Sequence, residues 1–186
     1  VGLATMIFLF YPSILYFITK IGYKNFFKAI FPAQMLAFST SSSAATLPLT
    51  MKRVKKNLNV SEEVTSFVCP LGATINMDGT SIHQAISAVF IAQAFGQDLT
   101  IADQLVIIVT ATLSSIGAAA VPGAGLIMLV IVLEAVGIDP QGLALIIAID
   151  RPLDMCRTIV NVTGDATVAS IVAYTEGENV KFNEDE

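Results

Sequence analysis

The sequence predicts an all-α membrane protein in which transmembrane helices and broken helices are combined with two opposed re-entrant helical hairpins. Hydrophobic residues fill 54% of the 186 positions and charged residues only 13%, whereas a soluble domain has about 25% charged residues. The mean hydropathy is +0.73. Polar and small residues also interrupt the long apolar segments, and broken backbone at membrane depth requires protein or water around it.

Residues 1–24 are predicted to form a transmembrane helix, because Val1 to Thr19 is almost uninterrupted apolar sequence and a span needs about 20 residues. The sequence begins like the interior of a longer chain. Two basic clusters, Lys20 to Lys28 and Lys52 to Lys56, flank the middle of residues 25–60, and such clusters favour the cytoplasmic side. This segment is too short to cross twice, so we predict re-entrant hairpin 1 with its tip at STSSSAATLP.

Residues 61–97 are predicted to form a broken transmembrane helix, because GATINMDGT in its middle is a poor helix former. Residues 98–139 have acidic flanks without Lys or Arg and the small-residue stretch SSIGAAAVPGAG. They predict re-entrant hairpin 2, entering from the opposite side, as in secondary transporters with inverted repeats. Residues 140–175 form the predicted last transmembrane helix. Residues 176–186 form an acidic tail, expected to be solvated and disordered.

The last predicted helix carries a polar stripe on one face, made by Asp150, Asp154, Arg157, Thr158, Asn161 and Asp165. Charged groups at membrane depth cost roughly 2.5–3.5 kcal/mol each, so they mark a candidate site. Asp154 and Arg157 could simply neutralise each other. Three acids nevertheless face one arginine on this stripe, and bound cations would balance the excess negative charge.

Other polar residues allow two interpretations each. Asn76 and Asp78 offer the hard oxygen atoms that suit Na⁺, but Asp78 could instead cap the second half of its helix. The hairpin tips could hold an anionic group with their free N–H groups, or could be tight packing surfaces. We interpret His83, the only histidine, as a packed polar residue and not as a proton carrier. No nucleophile–base pair or cofactor loop indicates an enzyme, and the local acidic charge indicates no nucleic-acid partner.

Four motifs in order resemble the glutamate transporter family: SSSAATLP, LGATINMDGT, SIGAAAVPGAG and LDMCRTIVNVTGDAT. These dicarboxylate/amino acid:cation symporters include excitatory amino acid transporters and archaeal aspartate transporters. The resemblance covers essentially the whole chain but only the C-terminal transport core of the family fold. It therefore implies that N-terminal scaffold helices are missing here. It also implies a multi-pass protein of the cell (inner or plasma) membrane that is a homotrimer at full length.

The resemblance also implies roles for individual residues. Arg157 would bind the side-chain carboxylate of an acidic amino acid substrate, and Asp154 its amino group. Further substrate contacts would come from Ser42, Ser43, Thr80, Val121, Gly125, Thr158 and Asn161. Na⁺ would be a co-transported ion and not a catalytic cofactor, and three groups of residues would bind it. The first group is Gly72, Asn76, Asn161 and Asp165, and the second is Asn76 and Asp78 with ligands on a missing helix. The third group is Thr74, Ser115 and Ile116. Met77 would lie between these sites, and Asp150 near them.

Some positions depart from the family pattern. Gln84 stands where the animal transporters have a proton-carrying Glu, which argues against animal-type proton and potassium coupling. Ser41 and Ala118 replace an Arg and a Thr of archaeal members, and Arg151 could compensate for the former.

The implied function is a Na⁺-coupled symporter of glutamate or aspartate that works by elevator-type alternating access. The alternatives left open are a proton-coupled glutamate/aspartate symporter, a C4-dicarboxylate symporter, a channel-like anion pore and a membrane receptor without transport.

Overall fold

The computed structural model describes residues 1–184, so the last two residues of the predicted tail lie outside it. The described chain is helical and contains no β-strand, which confirms the all-α class. Eight α-helices follow one another, with a 3-10 helix, Pro140–Leu145, between the last two. They are α1 Gly2–Thr19, α2 Tyr23–Thr40, α3 Ser43–Asn57, α4 Glu62–Ile75, α5 Asp78–Ala94, α6 Ile101–Ile116, α7 Ala124–Ala135 and α8 Ile147–Thr175.

Helix α1 is the only helix among the described residues that is long and apolar enough, by length and composition, to cross a membrane. Its turn Met6–Phe10 is π-helical and directly precedes Tyr11 and Pro12. Proline lacks the N–H that an α-helix interior needs, so an irregular turn here has a covalent cause. Large apolar side chains of α1, such as Phe8 and Phe17, are exposed.

All three backbone breaks that the sequence predicts are present. Helix α2 ends at Thr40, and α3 begins after Ser42, whose hydroxyl accepts a hydrogen bond from the Ala45 N–H. Asn76 and Met77 separate α4 from α5. Residues 117–123 separate α6 from α7. We call α2 with α3 the first helix pair and α6 with α7 the second helix pair, since the members of each pair pack against each other.

Helix α8 is the centre of the fold and contacts each of α1 to α5, while the second helix pair packs against α5. Its buried residues include polar and charged ones, among them Arg157, Asn161 and Asp165. Helix α5 crosses α8 closely at Gly79, where an added Cβ would lie 2.5 Å from the Arg157 carbonyl oxygen. The polar stripe of α8 therefore lies inside the protein, facing the helix breaks.

The predicted disorder of the tail is wrong for residues 177–184, although several of them are exposed to solvent. The Ser61 N–H and hydroxyl both donate to the Glu178 carboxylate, at 2.8 and 2.6 Å, and Val180 is buried. A carboxylate is stabilised at the N-terminus of a helix, here α4. Lys28 pairs with Glu184 at 2.7 Å and lowers the pKa of that carboxyl. These specific partners could not be predicted from the acidic composition of the tail.

Candidate functional site

The helix breaks surround a small polar cavity beside the α8 stripe. Its volume is about 20 Å³, which is room for about one water molecule. The lining residues come from both helix pairs, from α8 and from the start of α5 with the break that precedes it. They are Ser41, Ser43, Met77, Thr80, Ala118, Ala119, Ala120, Val121, Gly125, Asp154, Thr158 and Asn161. The structure thus brings together most of the residues predicted to contact the substrate.

Arg157 is buried next to this cavity, with 1% of its surface exposed. One terminal nitrogen, Nη2, contacts Asp150 Oδ1 at 2.8 Å and Asp154 Oδ1 at 3.1 Å. Within the described chain, the buried Nε and Nη1 have no hydrogen-bond partner. An unsatisfied buried donor costs about 1–3 kcal/mol. The internal pairing that the sequence allowed does occur, but it leaves two guanidinium nitrogens without a partner.

Asp154 joins the second helix pair to α8. Its Oδ2 accepts a hydrogen bond from the Gly123 N–H at 2.9 Å, and its backbone carbonyl accepts one from the Thr158 hydroxyl. Gly123 has a φ of +79°, a conformation that suits glycine. Arg151, at 3.7 Å from Asp154 and largely exposed, is a peripheral partner. The tip of the second helix pair is therefore hydrogen-bonded to Asp154, the residue predicted to bind the amino group of the substrate.

The tips of the two helix pairs also meet. The Ser42 hydroxyl donates to the Ala120 carbonyl at 2.7 Å, and the Ala44 N–H approaches the same oxygen at 3.3 Å. Ser43 lines the cavity, whereas Ser42 bridges the tips outside its lining. Ser41 has a buried hydroxyl without a partner in the described chain. Both tips thus close over the stripe.

Asn161, on α8, contacts the break between α4 and α5. Its Oδ1 accepts a hydrogen bond from the Gly79 N–H at 2.8 Å. Its Nδ2 lies 3.2 Å from Met77 Sδ and 3.5 Å from Thr80 Oγ1. The side chain of Asn161 therefore contacts both Thr80, which is predicted to bind the substrate, and Met77, which is predicted to lie between the Na⁺ sites.

A second cluster forms one to two turns further along α8, around Asp165. Asn76 Nδ2 donates to Asp165 Oδ1 at 2.9 Å and lies 3.4 Å from the Asn161 carbonyl oxygen. A Cβ added to Gly72 would lie 2.5 Å from Asp165 Oδ1, so a larger residue there would displace the Asp165 carboxylate. All four residues predicted for one cation site are therefore adjacent. Carboxylate, carbonyl and amide oxygens are ligands for hard cations.

Asp78 belongs to the same negative region and accepts a hydrogen bond from the Tyr11 hydroxyl. It does not cap α5, whose cap residue is Met77 without a side-chain cap, so the capping interpretation is wrong. In residues 1–184 neither Asp78 nor Asp165 forms an ion pair with a basic side chain. No group of three or more His, Cys, Asp or Glu lies close enough to hold a metal in this range. A cation here would need amide and backbone oxygens as well.

The third predicted cation group, Thr74, Ser115 and Ile116, would bind Na⁺ through backbone carbonyls, and it stays a prediction. Ser115 and Ile116 share a pocket of about 250 Å³ with Asp78. The Thr74 hydroxyl donates to the Leu71 carbonyl at 2.8 Å, and the residue is exposed.

Sequence reasoning missed several polar partners. Tyr11 lies in an apolar segment, where its contact with Asp78 has no local sequence signal. Gln84 Nε2 donates to the Gly125 carbonyl at 3.0 Å, and Gln84 Oε1 accepts from the Ser114 hydroxyl at 2.8 Å. A buried glutamine in an apolar helix would have been a signal, because buried amides need partners.

Comparison of the sequence with known proteins identifies its family. A sequence model of the sodium:dicarboxylate symporter family matches residues 1–175. The chain is 46% identical to Excitatory amino acid transporter 5 of Homo sapiens over 88% of the chain and 29% of that protein. It is 46% identical to an Excitatory amino acid transporter of Caenorhabditis elegans, over 93% and 34%. It is 44% identical to Excitatory amino acid transporter 2 of Homo sapiens, over 89% and 29%.

The chain therefore spans about a third of the length of these relatives. The shared segment contains the helix breaks, the polar cavity and the α8 stripe. With a family model matching 175 of its residues from the first position onward, the chain belongs to the sodium:dicarboxylate symporter family.

Proposed function

We propose that this chain is the transport core of a secondary active symporter that carries aspartate or glutamate together with Na⁺. The family description and the names of its relatives support a transporter and not an enzyme. The complete protein would be a multi-pass protein of the cell membrane and a homotrimer. Its scaffold would be formed by helices that precede this segment.

The observation that carries the proposal is the Arg157 guanidinium. It is almost fully buried, is held at Nη2 by Asp150 and Asp154, and has two nitrogens, Nε and Nη1, whose N–H groups have no partner in the described chain. A guanidinium N–H forms a strong, charge-assisted hydrogen bond to a carboxylate oxygen. The side-chain carboxylate of an acidic amino acid would supply these acceptors. A neutral side chain would not.

The surrounding residues fit the rest of such a substrate. Asp154 would accept the amino group, since its carboxylate already accepts an N–H from Gly123. Thr80, Thr158 and Asn161 add hydrogen-bonding groups on the cavity wall. The backbone around Ser42, Ser43, Val121 and Gly125 would hold the substrate from the two tips. A cavity of about 20 Å³ is smaller than an amino acid, so the tip of the second helix pair would have to move for entry.

Na⁺ would bind around Asp165 and Asp78. Their protein partners, Asn76 and Tyr11, are neutral, so the negative charge of both carboxylates stays unbalanced by protein in the described chain. The Gly72 and Asn161 carbonyls, and the third group of Thr74, Ser115 and Ile116, would add oxygen ligands. Met77 would couple the cation and substrate sites through its contact with Asn161.

The exposed apolar surface supports a membrane location. Helix α6 exposes Ile101, Leu105, Ile108 and Leu113, and α7 exposes Ile127. Large contiguous apolar surfaces on a protein are covered by lipid or by a partner. Under this proposal the two helix pairs are re-entrant hairpins of a core that moves across the membrane against the scaffold, with the substrate and Na⁺ enclosed.

The test is uptake of labelled aspartate by the full-length parent protein in liposomes with an inward Na⁺ gradient. Arg157→Ala should reduce uptake by about 100-fold or more, because it removes two charge-assisted hydrogen bonds of roughly 1.5–3 kcal/mol each. Arg157→Lys should also fail, since an ammonium lacks the planar fork. Arg151→Ala, on the same helix but largely exposed, serves as the control and should change uptake much less.

Uptake retained in Arg157→Ala would contradict the substrate assignment. Current without substrate flux would favour an anion pore. Uptake driven equally well by a proton gradient without Na⁺ would favour proton coupling.

A further inference from the structure

His83 lies against the ion-pair cluster of Arg157, although no motif points to it. It belongs to α5 and is 7% exposed. Its Nε2 lies 3.5 Å from Asp150 Oδ1, the same oxygen that receives Arg157 Nη2 at 2.8 Å. Its other polar neighbour is the Ser87 hydroxyl, at 3.4 Å. Asp150 Oδ1 is thus shared between Arg157, which is always positively charged, and His83, which becomes positively charged when it binds a proton.

The surroundings of His83 leave Asp150 as its main electrostatic partner. The helices α1 and α8 and the 3-10 segment meet α5 at a pocket of about 310 Å³. Its lining has no ionisable side chain other than His83 and includes Leu3, Ile82, Ile86, Phe90, Ile146 and Leu153. The charged side chains facing His83 all come from α8: Asp150 directly, then Arg157, with Asp154 beyond the guanidinium.

We propose that His83 is a proton-linked positioning residue, which in its protonated form takes over Asp150 and so frees the Arg157 guanidinium for the substrate carboxylate. This inference rests on the proposed function of Arg157. With neutral His83, Asp150 balances Arg157 and competes with the substrate for it. With protonated His83, the carboxylate is shared by two cations and the cluster gains one positive charge.

The sign of the pH dependence follows from this arrangement. An anionic substrate is attracted more strongly when His83 carries its proton, so substrate and proton bind cooperatively. By linkage, substrate affinity is highest at low pH and falls as pH rises through the titration of the histidine. The substrate carboxylates stay ionised throughout this range, since they titrate near pH 4. The substrate itself therefore does not cause the trend.

The experiment measures the aspartate affinity of the full-length parent protein between about pH 5 and 8, the interval in which histidine is the side chain that ordinarily changes charge. Na⁺ is kept saturating, so that cation binding does not vary. The wild type should lose about tenfold in affinity across this range, within the limit of tenfold per pH unit for one linked proton. His83→Gln keeps a neutral hydrogen-bonding group and should show a change of less than about twofold. Asp150→Asn, which removes the shared carboxylate, should likewise flatten the profile.

A purely structural histidine would lower affinity in His83→Gln without flattening the pH profile, and that result would overturn the proposal. Should His83→Gln fail to fold, calorimetry of the wild type in buffers of different ionisation enthalpy decides the matter. Uptake of a fraction of a proton per bound aspartate is expected, and zero uptake across the range would overturn the proposal. Absence of aspartate binding at every pH would instead contradict the proposed function.

Discussion

The two charged clusters on α8 differ in whether the protein itself pairs their charges. Arg157 and Asp165 are eight residues apart, about 12 Å along the helix axis. Around Arg157 the charges are mixed and paired, with Asp150 and Asp154 in contact with the guanidinium. Around Asp165 the partners are neutral, namely the Asn76 amide and the nearby Gly72 backbone.

Under the proposed function, this difference lets one helix serve two kinds of ligand. The mixed cluster would supply donors and acceptors to a substrate that carries both an amino group and carboxylates. The negative cluster, whose carboxylates have only neutral partners, would suit a cation. Asn161 lies between them, since its carbonyl is near Asn76 and its side chain holds Gly79 and faces Thr80. Binding in one cluster can therefore order the other.

The largest expected effect comes from neutralising the negative cluster. Asp165→Asn removes a charge from the proposed Na⁺ site and should weaken Na⁺ by about 100-fold, because buried charge interactions are worth several kcal/mol. Aspartate binding is measured as Na⁺ is titrated, both in Asp165→Asn and in Arg157→Ala, which changes the other cluster. In Asp165→Asn, high Na⁺ should restore much of the substrate affinity. In Arg157→Ala, no Na⁺ concentration should restore it, and equal rescue in both would contradict separate roles.

A pair of glycine substitutions sharpens the same comparison without changing charge. A Cβ at Gly72 would push against Asp165 Oδ1, and a Cβ at Gly125 would lie 3.0 Å from Arg157 Nη1 and 2.9 Å from Thr80 Cγ2. Overpacking of this kind costs about 1–3 kcal/mol. Gly72→Ala should thus weaken Na⁺ and Gly125→Ala should weaken aspartate, each by about tenfold or more.

Calorimetric titration of each ligand at saturating levels of the other checks the glycine pair. The same loss of both ligands in both variants would mean that the clusters form one undivided site.

A smaller effect is expected at Tyr11. Its hydroxyl donates to Asp78, so a cation at that carboxylate must compete with the hydrogen bond. Tyr11→Phe should tighten Na⁺ binding by a few-fold, the equivalent of one hydrogen bond of about 1 kcal/mol. Titration of Na⁺ in the absence of substrate measures the change. Weaker Na⁺ binding would instead make the Tyr11 hydroxyl a cation ligand.

The smallest effect is predicted for the tail, which touches neither cluster. Glu178→Gln weakens the paired hydrogen bonds to Ser61 at the start of α4. The melting temperature should fall by a few degrees, consistent with a loss of about 1 kcal/mol. Affinities for aspartate and Na⁺ should stay within about twofold of the wild type. A large loss of either ligand would show that the tail contact is coupled to the site.

Much of this arrangement could be predicted from the sequence because it follows from local chemistry. Gly, Asn, Ser and Pro mark the three breaks, and spacings of three and four place Asp154, Arg157 and Asn161 on one face. Partners that meet only through tertiary packing could not be found this way. The contacts of Tyr11 with Asp78, of His83 with Asp150 and of the tail with Ser61 bring together segments far apart in the chain.

The most direct test of the two-cluster account is the dissociation constant of aspartate for the full-length parent as Na⁺ is varied against choline at constant ionic strength. The account predicts that affinity rises steeply with Na⁺ in the wild type and that Asp165→Asn shifts this rise to higher Na⁺. Aspartate affinity that is the same in choline as in Na⁺ would contradict it.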